Sequence, residues 1–158
     1  MSAPVFPPVD DVLPQAGRMV LLTRILRHAE DRTTCAVEIS SASAFLEGQG
    51  GVPAWVALEY MAQCVAAHGG LRARAAGDPV PLGFLLGSRS VALHTPAFLV
   101  GQALEVEAAH VWGEQDFFSF ACTVRDARTR ATLAEATLTV ARAANADALT
   151  GRERAEAP

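Results

Sequence analysis

From residue 82 to residue 141 apolar and polar side chains alternate, interrupted only by short turn-like runs. A period of two marks strands with one buried face. The pattern predicts strands over 82–94, 103–112, 116–124 and 131–141. Leu104, Val106, Ala108 and His110 share one face of the second, and Phe118, Phe120, Cys122 and Val124 one face of the third. Gly83 and Gly87 are expected bend or bulge points in the first. "TPAFLVG" and "RDARTR" read as turns. Upstream, 19–29 and 33–40 predict a hairpin around "EDR", with Cys35, Val37 and Ile39 on one face.

The stretch "GVPAWVALEYMAQCVAAHGG" breaks this rhythm. It reads as a helix with Pro53 as its first residue, running to about Arg74, where "AGDPVP" stops it. The helix is apolar almost all the way round, which predicts burial. The element order is two strands, one long helix, four strands. An alternating antiparallel sheet curled around the helix satisfies both patterns, an α+β fold. One side of the helix would remain uncovered, and a second subunit is the expected cover. Residues 1–9, rich in proline, form an expected extended arm; 10–142 the domain; 143–158, polar and Ala-rich, an expected loose tail. Asp10 or Asp11 is an expected cap for a short helical turn that Pro14 ends.

Composition narrows the function. With 158 residues, 51% hydrophobic and 19% charged, the chain has material for one real core. A net charge of −4 gives no field for nucleic acid. Every one of the thirteen basic residues is Arg, so anion contacts would use guanidinium forks. Cys35, Cys64 and Cys122 are scattered and make no metal-ligand spacing; buried thiols in a reducing compartment are expected, with no metal and no organic cofactor. The start of the chain shows no signal-peptide pattern. Glu59, Gln63, His68 and the Gly69-Gly70 pair argue against a membrane span over 52–71. A cytoplasmic protein is the expectation.

The chemistry centres on Glu59. Gln63 lies about 40° from it on the helix, so the two share a face, whereas His68 points about 180° away. A carboxylate in an apolar helix is costly to keep. It either pairs with an Arg or caps a loop at a subunit interface, or it does proton-transfer work in an apolar tunnel. "EGQGGVPAW" brings glycines to the helix start. It is a plain loop, or one whose free N–H groups near Val52 and Ala54 bind a carbonyl oxygen gaining negative charge. Trp55, Phe84 and Phe98 are the expected tunnel lining.

"LPQAGRMVLLTRIL", "PAWVALEYMAQ" and "HTPAFLVGQALEVEA" together resemble the hot-dog-fold β-hydroxyacyl-acyl-carrier-protein dehydratases, over about residues 10–142. "GVPAWV", "EYMAQ" and "GFLLG" are similar to a dehydratase-like subgroup associated with aryl polyene biosynthesis. The resemblance implies dehydration of a 3-hydroxyacyl thioester by a loop His of one subunit and a helix acid of the other. A backbone N–H at the helix start polarises the thioester carbonyl. By that resemblance Glu59 matches the acid, Gln63 the glutamine that closes the motif, and Ala54 the N–H donor. Gln49, however, stands where the loop His is expected, Gln15 replaces the His of Leu-Pro-His, and Thr23 replaces an Asp. An amide cannot serve as a base near neutral pH.

Three functions follow: a dehydratase with Glu59 as acid/base and Gln49 or Gln63 as positioning groups; a thioesterase in which Glu59 activates water; or a weakly active subunit that holds the acyl chain or carrier protein. The expected partners are an acyl carrier protein or coenzyme A thioester and a second hot-dog subunit, identical or different. Of the four histidines, His28 is expected to be exposed, His110 a satisfied core residue, His68 on the wrong helix face, and His94 a substrate-binding candidate. Arg72, Arg74 and Arg89 are either solvated or a patch for an acidic carrier.

Overall fold

A computed structural model describes residues 2–48, 50–113 and 115–142. The chain runs β1 (Arg24–His28), β2 (Arg32–Glu38), β3 (Val52–Pro53), α1 (Ala57–Ala76), β4 (Gly83–Leu93), β5 (Ala97–Phe98), β6 (Ala103–Trp112), β7 (Phe117–Asp126) and β8 (Thr132–Arg142). Six strands form one antiparallel sheet in the order β1-β2-β6-β7-β8-β4. Helix α1 lies across β2, β6, β7 and β8. Its buried side chains, among them Met61, Cys64 and Leu71, meet the inward row Cys35, Leu104, Val106, Val124 and Leu138 in one core. The alternation predicted for the last three long strands holds, because each has one face on the helix.

The structure departs from the sequence expectation at several points. Strand β1 begins at Arg24, because the backbone ahead of it is tied elsewhere. Leu21 N donates to Gln63 Oε1 at 2.8 Å, and Gln63 Nε2 donates to Met19 O at 2.7 Å. Pro53 does not open the helix. It pairs with Ala97 in the two-residue ladder β3–β5, and a single 3-10 turn over Ala54–Val56 intervenes before α1. The early turn over Val9–Asp11 is capped by Pro8, with no side-chain bond from either Asp. Strand β2 is buried on both faces from Thr33 to Val37, not one. Phe6 of the N-terminal arm packs against the core, and Pro4 and Phe6 border a cleft with Thr34 on the outer side of the sheet.

Helix α1 ends as a Schellman-type cap. Gly77 takes φ 74°, and Asp78 N returns to Ala73 O at 2.8 Å. Gly70 serves a different need. A Cβ there would lie 2.0 Å from Val12 O, so only glycine admits the N-terminal segment against the helix. Gly87 sits at a register break in β4. Beyond β8 that strand forms the sheet edge and is exposed along nearly its whole length, with Leu85, Leu86, Val91 and Leu93 open. Such an edge is a template for further pairing. All three cysteines are free and buried. No helix among the described residues is long and apolar enough to cross a membrane. The expected tail, 143–158, lies outside the described residues.

Candidate active site

A groove of about 1380 Å³ runs along one side of α1, walled by the segment leading into β4 and by the ends of β7 and β8. Glu59, Ala62, Ala66 and Gly69 floor it; Phe84 and Phe118 stand on its walls. Glu59 is half-buried here, with no Arg partner among the described residues. Its Oε1 accepts from Gln63 Nε2 at 3.0 Å. Its Oε2 has no partner among the described residues, nor is it sealed from the groove. The carboxyl is therefore held by one oxygen and open by the other.

Gln63 is fully buried, and its amide orientation is dictated by backbone. Leu21 N–H must meet the amide oxygen, and Met19 C=O must meet the amide nitrogen. The second N–H of that nitrogen is then the one Glu59 receives. With both N–H groups committed, Gln63 acts on Glu59 and not on a bound molecule. The positioning role expected for it is exercised on Glu59. Gln15 borders the same groove, and its Oε1 is buried without a hydrogen-bond partner among the described residues.

The other expected site residues disperse. Ala54 N donates to Pro96 O at 3.1 Å, so this N–H is not free to polarise a carbonyl. The ladder that displaced Pro53 from the helix is the reason. Val52 is buried against Phe98, and Phe98 packs on Tyr60 in the core. Trp55 is 55% exposed, edge-on to Phe45 at 5.8 Å. Of the three aromatics expected to line a tunnel, only Phe84 borders the groove. His94 is exposed and sits 3.0 Å from Glu135 across the β4–β8 ladder, away from the groove. Gln49 lies outside the described residues. Arg72 reaches back to Glu30 O at 3.0 Å. Among the described residues no cluster of three His, Cys, Asp or Glu could hold a metal ion.

The family model for ApeP dehydratases matches residues 7–151. The chain belongs to the ApeP-like family. Among solved structures, the dehydratase heterocomplex ApeI:P from Xenorhabdus doucetiae is similar at 27% identity with a TM-score of 0.86, over 95% of this chain and 100% of that one. The acetyl-CoA-bound smu.793 of Streptococcus mutans (14% identity, TM-score 0.58, 75% and 86% covered) shares the fold. So does E. coli PaaI from the phenylacetic acid degradation operon (12%, 0.58, 75% and 82%). No curated protein matches. The ApeP-like chain is thus a hot-dog, dehydratase-like protein, as its helix motif implies.

One arrangement in this ApeP-like chain was not legible in its sequence. His28 Nδ1 and His68 Nδ1 each lie 2.8 Å from the Thr33 hydroxyl. His28 is half-buried rather than exposed, and His68, off the Glu59 face, borders the far part of the groove. No sequence spacing links residues 28, 33 and 68; only the packing of α1 on β2 does. His110 is satisfied as expected, with Nε2 3.2 Å from Gly113 O and its ring against Phe118 and Phe120.

Proposed function

We propose that this chain is one subunit of a hot-dog pair that dehydrates 3-hydroxyacyl thioesters on an acyl carrier protein during aryl polyene-type synthesis. Glu59 is its general acid. The observation that carries this reading is the Glu59 carboxyl, fixed through Oε1 by Gln63 and open to the groove through Oε2. That is the geometry of a group that must donate a proton in one direction only.

The base comes from elsewhere. By the family resemblance, one subunit supplies a loop His and the other a helix acid. Here the loop position is Gln49, whereas the acid is retained. A partner bearing the His would complete one composite centre with Glu59. In that centre the partner's imidazole removes the C2 proton of the 3-hydroxyacyl chain. The C2=C3 bond forms as the C3–O bond breaks, and Glu59 delivers its proton to the leaving oxygen, releasing water. The proton on the imidazole must then return to Glu59 before the next turnover. The ApeI:P complex, a dehydratase heterocomplex by its description, supports a pairing of unlike subunits. The exposed edge of β4 supports a sheet-to-sheet contact.

The test incubates a short 3-hydroxyacyl carrier-protein substrate with the chain alone, with a His-bearing hot-dog subunit from the same cells, and with that subunit plus Glu59→Gln. Mass spectrometry reads the carrier. Loss of one water only in the wild-type mixture is the expected result. Loss of the whole acyl group would make the chain a thioesterase. Dehydration undiminished by Glu59→Gln would leave it a non-catalytic subunit.

A further inference from the structure

Besides the carboxyl, the groove is lined by several polar groups, among them Gln15, Asp31, Arg72 and His68, and of these His68 is the most deeply set. His68 is only 3% exposed, its ring set 5.4 Å from that of His28 and edge-on to Phe120 at 5.7 Å. Its Nδ1 is engaged by the Thr33 hydroxyl, whose side chain is wholly buried and also meets His28. A hydroxyl carries one proton, so it can donate to one ring while accepting from the other. The contact fixes the His68 ring in direction. Burial above all, then the nearby His28, Arg72 and His110, lowers its pKa to about 4 against a small opposing pull from Asp31. The ring is neutral at pH 7, with one polar atom left over, Nε2.

That atom has no hydrogen-bond partner among the described residues. Nor is it among the buried atoms sealed away unsatisfied, so it opens to the groove that His68 lines. A polar atom in an otherwise buried ring calls for a partner. Its place relative to Glu59 is set by the helix. Nine residues advance about 13.5 Å along the axis and turn the side chain about 180°. Between the two, the groove face of the helix carries Ala62, Val65, Ala66 and Gly69, small or slender residues that leave a channel. Phe118 and Phe120 form its opposite wall. An extended chain advances about 1.2 Å per bond, so on the order of ten bonds or more separate a reacting centre at Glu59 from His68.

We propose that His68 Nε2 is a specificity contact for the distal end of the acyl chain, selecting chains that carry a hydroxyl or carbonyl group on the order of ten bonds beyond the reacting carbons. Thr33 is the positioning residue that aims it. This rests on the reading that the groove takes an acyl chain, and the test separates the two. Binding of non-hydrolysable acyl-pantetheine amides of equal length, one ending in methyl and one in hydroxyl, is measured by calorimetry on the full chain. The wild type should bind the hydroxyl chain about tenfold more tightly. His68→Phe should remove that preference by weakening the hydroxyl chain alone, and Thr33→Val should narrow it. Equal affinities in the wild type, with both chains bound, overturn the specificity contact and leave the groove reading intact. Failure of both chains to bind overturns both readings. Should His68→Phe not fold, nitrogen NMR of the wild-type imidazole decides. Nε2 must shift with the hydroxyl chain and not with the methyl chain; an unmoved Nε2 overturns the proposal.

Discussion

Replacing Gln63 with Leu keeps the volume of the side chain and removes all of its hydrogen bonds. Two backbone groups lose their partners, Leu21 N–H and Met19 C=O, along with the N–H that holds Glu59. A buried donor left unpaired costs about 1–3 kcal/mol. Leu21 is half-buried and takes the middle of that range, whereas Met19 is exposed and its carbonyl can turn to water. The apolar side chain recovers on the order of 1 kcal/mol by burial. The net expectation is a loss of about 1 kcal/mol. With a urea slope of about 2 kcal/mol per molar, the unfolding midpoint should fall by about 0.5 M. Gln63→Glu provides the control. It retains an acceptor for Leu21 N–H but sets a carboxylate against both Met19 O and Glu59, so it should cost more at pH 8 than at pH 5, where a carboxylic O–H can donate. An unchanged midpoint in Gln63→Leu, or a pH-independent defect in Gln63→Glu, would refute the clamp formed by this glutamine.

Other outcomes follow from the same contacts. In the two-subunit assay, Glu59→Gln should abolish dehydration while leaving the unfolding free energy within about 0.5 kcal/mol of wild type, and a residual rate above a tenth of wild type would remove Glu59 from the acid's role. The His68 pKa of about 4, against 6.5 unfolded, makes the neutral native ring a source of stability above pH 6.5. That stability is lost as pH falls and the unfolded chain takes up the proton, by about 2 kcal/mol at pH 5; urea midpoints at pH 8 and pH 5 should show this drop, and His68→Gln should flatten it. Gly70→Ala drives a methyl into the Val12 carbonyl and should cost about 2–4 kcal/mol, read as a lowered melting temperature. Val91→Arg on the open edge of β4 should weaken self- or partner association in light scattering with little effect on folding; unchanged assembly would place the interface elsewhere.

Much of the fold was present in the linear pattern. The last three long strands alternate because one face of each meets α1, and a period of two in sequence records that one-sided burial directly. The long helix was equally legible, since its apolar run exceeds any strand. Glu59 and Gln63 declared themselves by sharing a helix face, a relation that depends only on the 100° turn per residue. What sequence could not decide were contacts made by backbone groups. Strand β1 starts late because Gln63, more than forty residues away, takes the hydrogen bonds of Met19 and Leu21. Ala54 is no carbonyl donor because Pro96, brought alongside by the β3–β5 ladder, takes its N–H. His94 and Trp55, plausible at a site by type and position, face Glu135 and Phe45 instead. The His28–Thr33–His68 chain exists only where α1 lies on β2. Periodicity is a local property and survives in the sequence; the choice of a partner for each polar group is made across the fold, and only the folded chain contains it.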